Sequence, residues 1–162
     1  MKFVTSGDIH RMFLAEDKDT IVTRNNARRI CLQNDINHFI SANIILIDKE
    51  DFLTKTNPYK IKQHIYSVPK LRCIRGCAKE WNSHRKKGER FIHADEIRAY
   101  LKNDNKVFKY LYGNKWIVNY DQLEHHLKIL SKTESPYLSK IKKNDHLNGG
   151  QVGVGMRNRT SN

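Results

Sequence analysis

Five side chains between positions 24 and 33 are of the types that read base pairs. Arg24, Asn25, Arg28, Arg29 and Gln33 recur at spacings that gather them on one face of a helix, opposite an apolar stripe of Ala27, Ile30 and Cys31. Arginine pairs bidentately with guanine, and asparagine or glutamine with adenine, so this face suits the major groove of DNA. A solvated helix face is the ordinary alternative. A second basic set follows later in the chain. Arg85, Lys86, Lys87 and Arg90 form a cluster, and Arg98, Lys102, Lys109, Asn114 and Lys115 come after it. His93, Asp95, Glu96, Arg98 and Lys102 are expected on the exposed face of their own helix. Two acids near its start suit the helix dipole but repel phosphate. This segment is therefore expected to grip the DNA backbone rather than read bases, working chiefly by counterion release.

Catalytic and metal chemistry find less support. Three residues separate Cys73 from Cys77, and His84 follows, but a zinc site wants a fourth ligand. Both cysteines fall on an expected helix at i, i+4, where small apolar packing is the commoner role. His125-His126 reads as exposed polar surface. The glycine run from 149 to 155 lacks the Lys-Ser/Thr of a phosphate loop. No paired carboxylates and no nucleophile–base set would be brought together, so no catalysis, no metal and no cofactor are expected.

Charge distribution separates the two halves. Residues 1–58 hold 8 Lys+Arg and 8 Asp+Glu, whereas residues 59–162 hold 22 and 9, which supplies the whole net charge of +13. Such a chain attracts polyanions, nucleic acid first and an acidic membrane surface second; an AT-rich coding sequence would also enrich Lys, Asn and Ile. No stretch approaches the roughly 18 apolar residues of a membrane span, and the start does not read as a signal peptide. The odd count of 3 cysteines argues against a disulfide framework, so a cytoplasmic protein is expected.

The elements that must position these residues occur twice. Residues 21–32 match 91–102, with apolar positions coinciding at 21/91, 22/92, 27/97, 30/100 and 31/101 and Arg28 falling on Arg98. The match continues with a one-residue shift, 39–48 facing 110–119, and then at the original spacing Asp51 and Leu53 fall on Asp121 and Leu123. In the first copy an amphipathic helix is expected over 5–16, with Thr5 and Asp8 in capping positions. A second helix is expected over 24–34, capped by Thr23. The second copy's helices are expected over 71–84, with Leu71, Ile74, Ala78 and Trp81 on one stripe, and over 94–103. Each second helix leads to two short strands about a tight turn, Ser41-Ala42-Asn43 or Tyr112-Gly113-Asn114-Lys115. Asp48 and Asn119 then cap a closing helix that carries Phe52 and Leu53, or Leu123, Leu127 and Leu130. The domain reading is unit 1 over 1–58, a strand or packed linker over 59–68, unit 2 over 69–130, and a basic tail over 131–162. That tail reads as flexible when unbound, and its Lys132, Lys140, Lys142, Lys143, Arg157 and Arg159 suit a minor groove.

Helix, helix, hairpin, short helix resembles the excisionase-like winged helix, a relative of the MerR-type DNA-binding domain of phages and conjugative elements. In the second copy the resemblance rests on Pro69-Lys70-Leu71-Arg72, Ile97-Arg98-Ala99-Tyr100-Leu101 and the stretch from Tyr112 to Leu123. In the first it rests on Ala27-Arg28-Arg29-Ile30 and the stretch from Ile45 to Leu53. There Ala42 stands where the family usually has glycine, which bears on the shape of that wing tip. The resemblance implies an α+β chain of two tandem winged helix-turn-helix units. In each, the second helix would enter the major groove and the wing, through Asn43 or Asn114 and Lys115, would lie on the backbone. It implies double-stranded DNA as partner and a role as excisionase, recombination directionality factor or transcriptional regulator of a mobile element, with a site-specific recombinase or another protein as a further partner. Two tandem units can span two half-sites without dimerising, and an oligomer along DNA is equally compatible. The alternative is a protein-binding inhibitor that occupies the nucleic-acid site of a host complex, for which the electroneutral first half leaves room.

Overall fold

A computed structural model describes residues 2–58, 67–103 and 106–133. They form a mixed α+β structure with six helices and two antiparallel three-stranded sheets. The first half runs β1 (Phe3–Thr5), α1 (Ser6–Glu16), α2 (Arg24–Gln33), β2 (His38–Ser41), β3 (Ile44–Asp48), α3 (Lys49–Thr56). The second runs β4 (Leu71–Arg72), α4 (Ile74–His84), α5 (Ala94–Asn103), β5 (Lys109–Tyr112), β6 (Lys115–Asn119), α6 (Tyr120–Leu130). Both sheets place the last strand in the centre, with orders β1-β3-β2 and β4-β6-β5. The same backbone bonds close each repeat. Lys49 N donates to Lys2 O at 2.9 Å as Tyr120 N donates to Lys70 O at 2.7 Å, and Asp48 N to Asn37 O as Asn119 N to Phe108 O.

Local chemistry starts α1, α2, α3 and α6 where the sequence places them. Thr5 caps α1 in a reciprocal box, its Oγ1 accepting from Asp8 N at 3.1 Å while Asp8 accepts from Thr5 N at 2.9 Å. Thr23 caps α2, and Asp48 and Asn119 cap the closing helices. The first hairpin turns through Ala42 and Asn43 at φ 49° and 65°. Both lie in the left-handed region that suits a tight two-residue hairpin. Alanine thus adopts the conformation that Gly113 takes, at φ 58°, in the second hairpin.

Three sequence expectations are corrected. The helix expected over 71–84 begins at Ile74, and Leu71 lies in a strand paired with Asn119. Cys73 is the N-cap of α4, its Sγ accepting from Gly76 N, so only Cys77 lies within the helix. Strands β1 and β4 precede the first helix of each repeat. The expected linker over 59–68 and tail over 131–162 fall mostly outside the described residues.

The halves share a core. Ala27, Ile30 and Cys31 are fully buried, with Phe13 and Phe52 edge-to-face at 5.7 Å beside them. Leu71, Phe108, Tyr110 and Ile117 of the second repeat join that same cluster. A second cluster centres on Trp81, Ile97, Leu101 and Leu123. Register explains the sharing. Leu71, Tyr110 and Ile117 sit on the side of the second sheet facing away from its own helices, since Tyr110 pairs with Ile117 and Leu71 with Asn119. That outer face packs on the first repeat. Ile21 N donates to Leu71 O at 3.1 Å, and Asn119 Nδ2 donates to Thr56 O at 2.9 Å.

Candidate nucleic-acid interface

The exposed face of α2 carries Arg24, Asn25, Arg28, Arg29 and Gln33, all solvent-facing, as the helical period predicts. The structure separates them. Gln33 Oε1 accepts from Tyr110 OH at 2.9 Å, so this residue ties the second repeat to the end of α2. Arg24 lies across α1, where a Cβ at residue 7 would meet its guanidinium at 3.3 Å, so Gly7 makes room for it. Arg28, Arg29 and Asn25 stand on the N-terminal two-thirds of the helix, away from that junction. Asn43 is exposed at the tip of the first hairpin, beside Ile44 and Ile40.

In the second repeat the candidates divide more sharply. Glu96, expected on the exposed face, is buried; its carboxylate holds Arg90 at 2.9 Å and accepts from His93 N at 3.3 Å. Arg90 is correspondingly occupied with Glu96 and the carbonyls of Leu130 and Thr133. It is a structural cation, not part of a mobile basic loop. Lys109 turns its ammonium to Leu101 O at 2.5 Å and so caps the end of α5, where the helix dipole favours a cation. Arg85, Lys86, Lys87 and Lys102 are exposed, with Arg85 over the Phe91 ring at 5.9 Å.

Arg98, Asn114 and Lys115 are brought together. With Arg75, Cys73, Ile74, Trp116 and Ile21 they line a cleft of about 300 Å³ between the start of α4, the middle of α5 and the tip of the second hairpin. Asp95 pairs with Arg98 at 2.5 Å on the exposed side, an ion pair that water screens strongly. Three cations therefore face one opening floored by Trp116 and the first turn of α4, whose amides favour an anion. Arg75 escapes a reading of the sequence alone. Its signal is position: it is the second residue of α4, whose first turn contains no acid. A cation there opposes the helix dipole and has to be offset by another interaction.

Aligning the repeats on their helix starts sets Gly7 against Arg75 and Arg24 against Ala94. The first repeat sends an arginine from its second helix onto a glycine of its first. The second has the arginine on its first helix and alanine on its second. Each repeat thus gathers guanidinium groups near the place where its two helices start, Arg24 and Arg11 at Gly7 in the first and Arg75 and Arg98 in the second.

Chemistry beyond charge is sparse. No group of three His, Cys, Asp or Glu among the described residues could hold a metal ion. Burial pushes the Cys31 thiol up to about 11, with Asp51 adding to the effect, and burial pushes the Cys77 thiol up as well. His126 Nδ1 sits 2.6 Å from Tyr100 OH, a packed pair between α5 and α6. Among the described residues no helix is long and apolar enough to cross a membrane. No family model, curated protein or solved structure matches the chain.

Proposed function

We propose that the chain is a non-enzymatic protein that binds double-stranded DNA through two fused winged-helix repeats. It would serve a mobile genetic element as excisionase, recombination directionality factor or transcriptional regulator. The observation that carries this reading is the convergence of Arg75, Arg98 and Lys115, with Asn114, on one cleft between a helix start, a second helix and a hairpin tip. That combination suits a phosphate backbone held between recognition helix and wing. The exposed Arg28, Arg29 and Asn25 of α2 supply base-reading chemistry on the electroneutral repeat, and the second repeat supplies the charge. The basic segment 134–162 adds further cations, outside the described residues.

Fluorescence anisotropy with random and element-end duplexes across a salt series tests this. Affinity should fall steeply with salt, with a log–log slope of about −0.9 for each phosphate neutralised. The triple variant Arg75→Ala, Arg98→Ala, Lys115→Ala should flatten that slope by the equivalent of about three phosphates. If no duplex binds at about 100 mM salt, the reading fails and the protein-binding inhibitor takes its place.

A further inference from the structure

The outer face of the second sheet has an occupant, the first repeat. The same face of the first sheet has none among the described residues. Phe3, Phe39 and Leu46 occupy the positions of Leu71, Tyr110 and Ile117, because Phe39 pairs with Leu46 as Tyr110 pairs with Ile117. Tyr110 is 7% exposed and Ile117 0%, whereas Phe39 is 46% exposed and Ile44, next along the same face, 54%. Phe3 and Phe39 stack edge-to-face at 4.9 Å, so the patch is aromatic. An apolar sheet face of this kind marks an interaction surface.

We propose that this face docks on the second repeat of another copy of the chain, as the second sheet docks on the first repeat within one copy. Copies then associate head to tail. The occupant is chosen by the molecule itself: one of the two equivalent faces is already covered, and what covers it is a repeat of this fold. Among the described residues the receiving end is open in the matching place. Ile21, which bonds Leu71, has as its counterpart Phe91, which is 47% exposed, and the longer α6 adds Ile129 at 61%. Charge agrees with this orientation, since it sets a neutral repeat on a basic one and avoids opposing two basic repeats.

The intermolecular joint lacks the polar ties of the intramolecular one. Arg72 and Asp17 are replaced by Val4 and Arg85, and Tyr110 and Gln33 by Phe39 and Asn103. It also lacks the high effective concentration that a covalent link provides. The association is therefore reversible, and its geometry is heterologous, with one free face at each end of any chain of copies.

Sedimentation velocity on the full chain, free of nucleic acid, tests it over a concentration series. The wild type should rise in mean mass past the dimer as concentration increases. Phe39→Glu and Ile129→Glu each remove one face at an exposed position and should be monomeric, with circular dichroism unchanged. Ile44→Glu serves as a second variant of the sheet face. Mixed in equal amounts, Phe39→Glu and Ile129→Glu still hold one good face of each kind and should form dimers that grow no further. A wild type that stays monomeric to its solubility limit overturns the proposal. So does a mixture that stays monomeric, or a Phe39→Glu protein that associates like the wild type.

Discussion

Arg72 of the second repeat donates from both terminal nitrogens to the carboxylate of Asp17 in the first, with Nη2 2.8 Å from Oδ1. Both side chains are nearly inaccessible, and Glu80 approaches the same guanidinium at 3.2 Å. A buried guanidinium between two carboxylates fixes how one repeat sits on the other, because any slip leaves a charge without its partner. Removing one member of such a pair costs about 3–5 kcal/mol. Arg72→Met should therefore lower the urea midpoint strongly at an unchanged m-value. The double variant Arg72→Met, Asp17→Leu should recover part of the loss, since the more deeply buried of the two stranded carboxylates goes too and Glu80 keeps His84 at 3.2 Å. Equal losses in the single and double variants would show that the pair is not what joins the repeats.

The turn at Ala42 gives the opposite sign. Alanine at φ 49° carries the left-handed penalty of roughly 1–2 kcal/mol, which glycine avoids. Glycine's greater freedom in the unfolded chain returns part of that gain. Ala42→Gly should thus raise stability by about 0.5–1 kcal/mol in the same urea assay. No gain, or a loss, would mean that the hairpin tip does not hold this turn in solution.

Much of this architecture is readable in the residues. The repeat spacing, the caps Thr5, Thr23, Asp48 and Asn119, the second helices and the hairpins all follow from local rules. What is not readable depends on distant partners. Leu71 fits a helical stripe with Ile74 and Ala78, yet a two-residue strand lacks enough alternation to declare itself, and only pairing with Asn119 makes it one. Glu96 has the spacing of an exposed acid, but Arg90 draws it inside. Gln33 and Lys109 look like free polar surface, and each is taken up by a tertiary hydrogen bond. Arg75 signals only an unfavourable place at the start of a helix, and the wing that completes its cleft lies 40 residues further on.

The bond between Gln33 and Tyr110 makes Gln33 a control for DNA reading. Gln33→Ala should lower stability by about 1 kcal/mol through loss of that bond and leave DNA affinity unchanged. Arg28→Ala, at an exposed position with no core role, should leave stability unchanged, and both Arg28→Ala and Arg29→Ala should weaken specific binding by roughly 1–3 kcal/mol for each base no longer read. If Gln33→Ala weakened binding as much as the arginine variants, the end of α2 would belong to the interface after all.

The three thiols provide a footprint of the cleft without altering its charges. Cys31 and Cys77 are buried, and the same burial that raises their thiol values keeps the reactive thiolate scarce at neutral pH. Cys73 is half-buried and lines the cleft beside Arg75, Arg98 and Lys115. N-ethylmaleimide should accordingly label one site rapidly in the native protein, identifiable by peptide mass, and three after denaturation. Cys73→Ser retains an oxygen able to cap α4, so that variant should lose the fast site and keep its fold. Saturating duplex DNA should slow labelling of Cys73 several-fold if a phosphate backbone enters the cleft. High salt should restore the free rate, because it releases the DNA. A Cys73 rate unchanged by bound DNA would move the backbone contact elsewhere and leave Arg75 and Lys115 as ordinary surface cations.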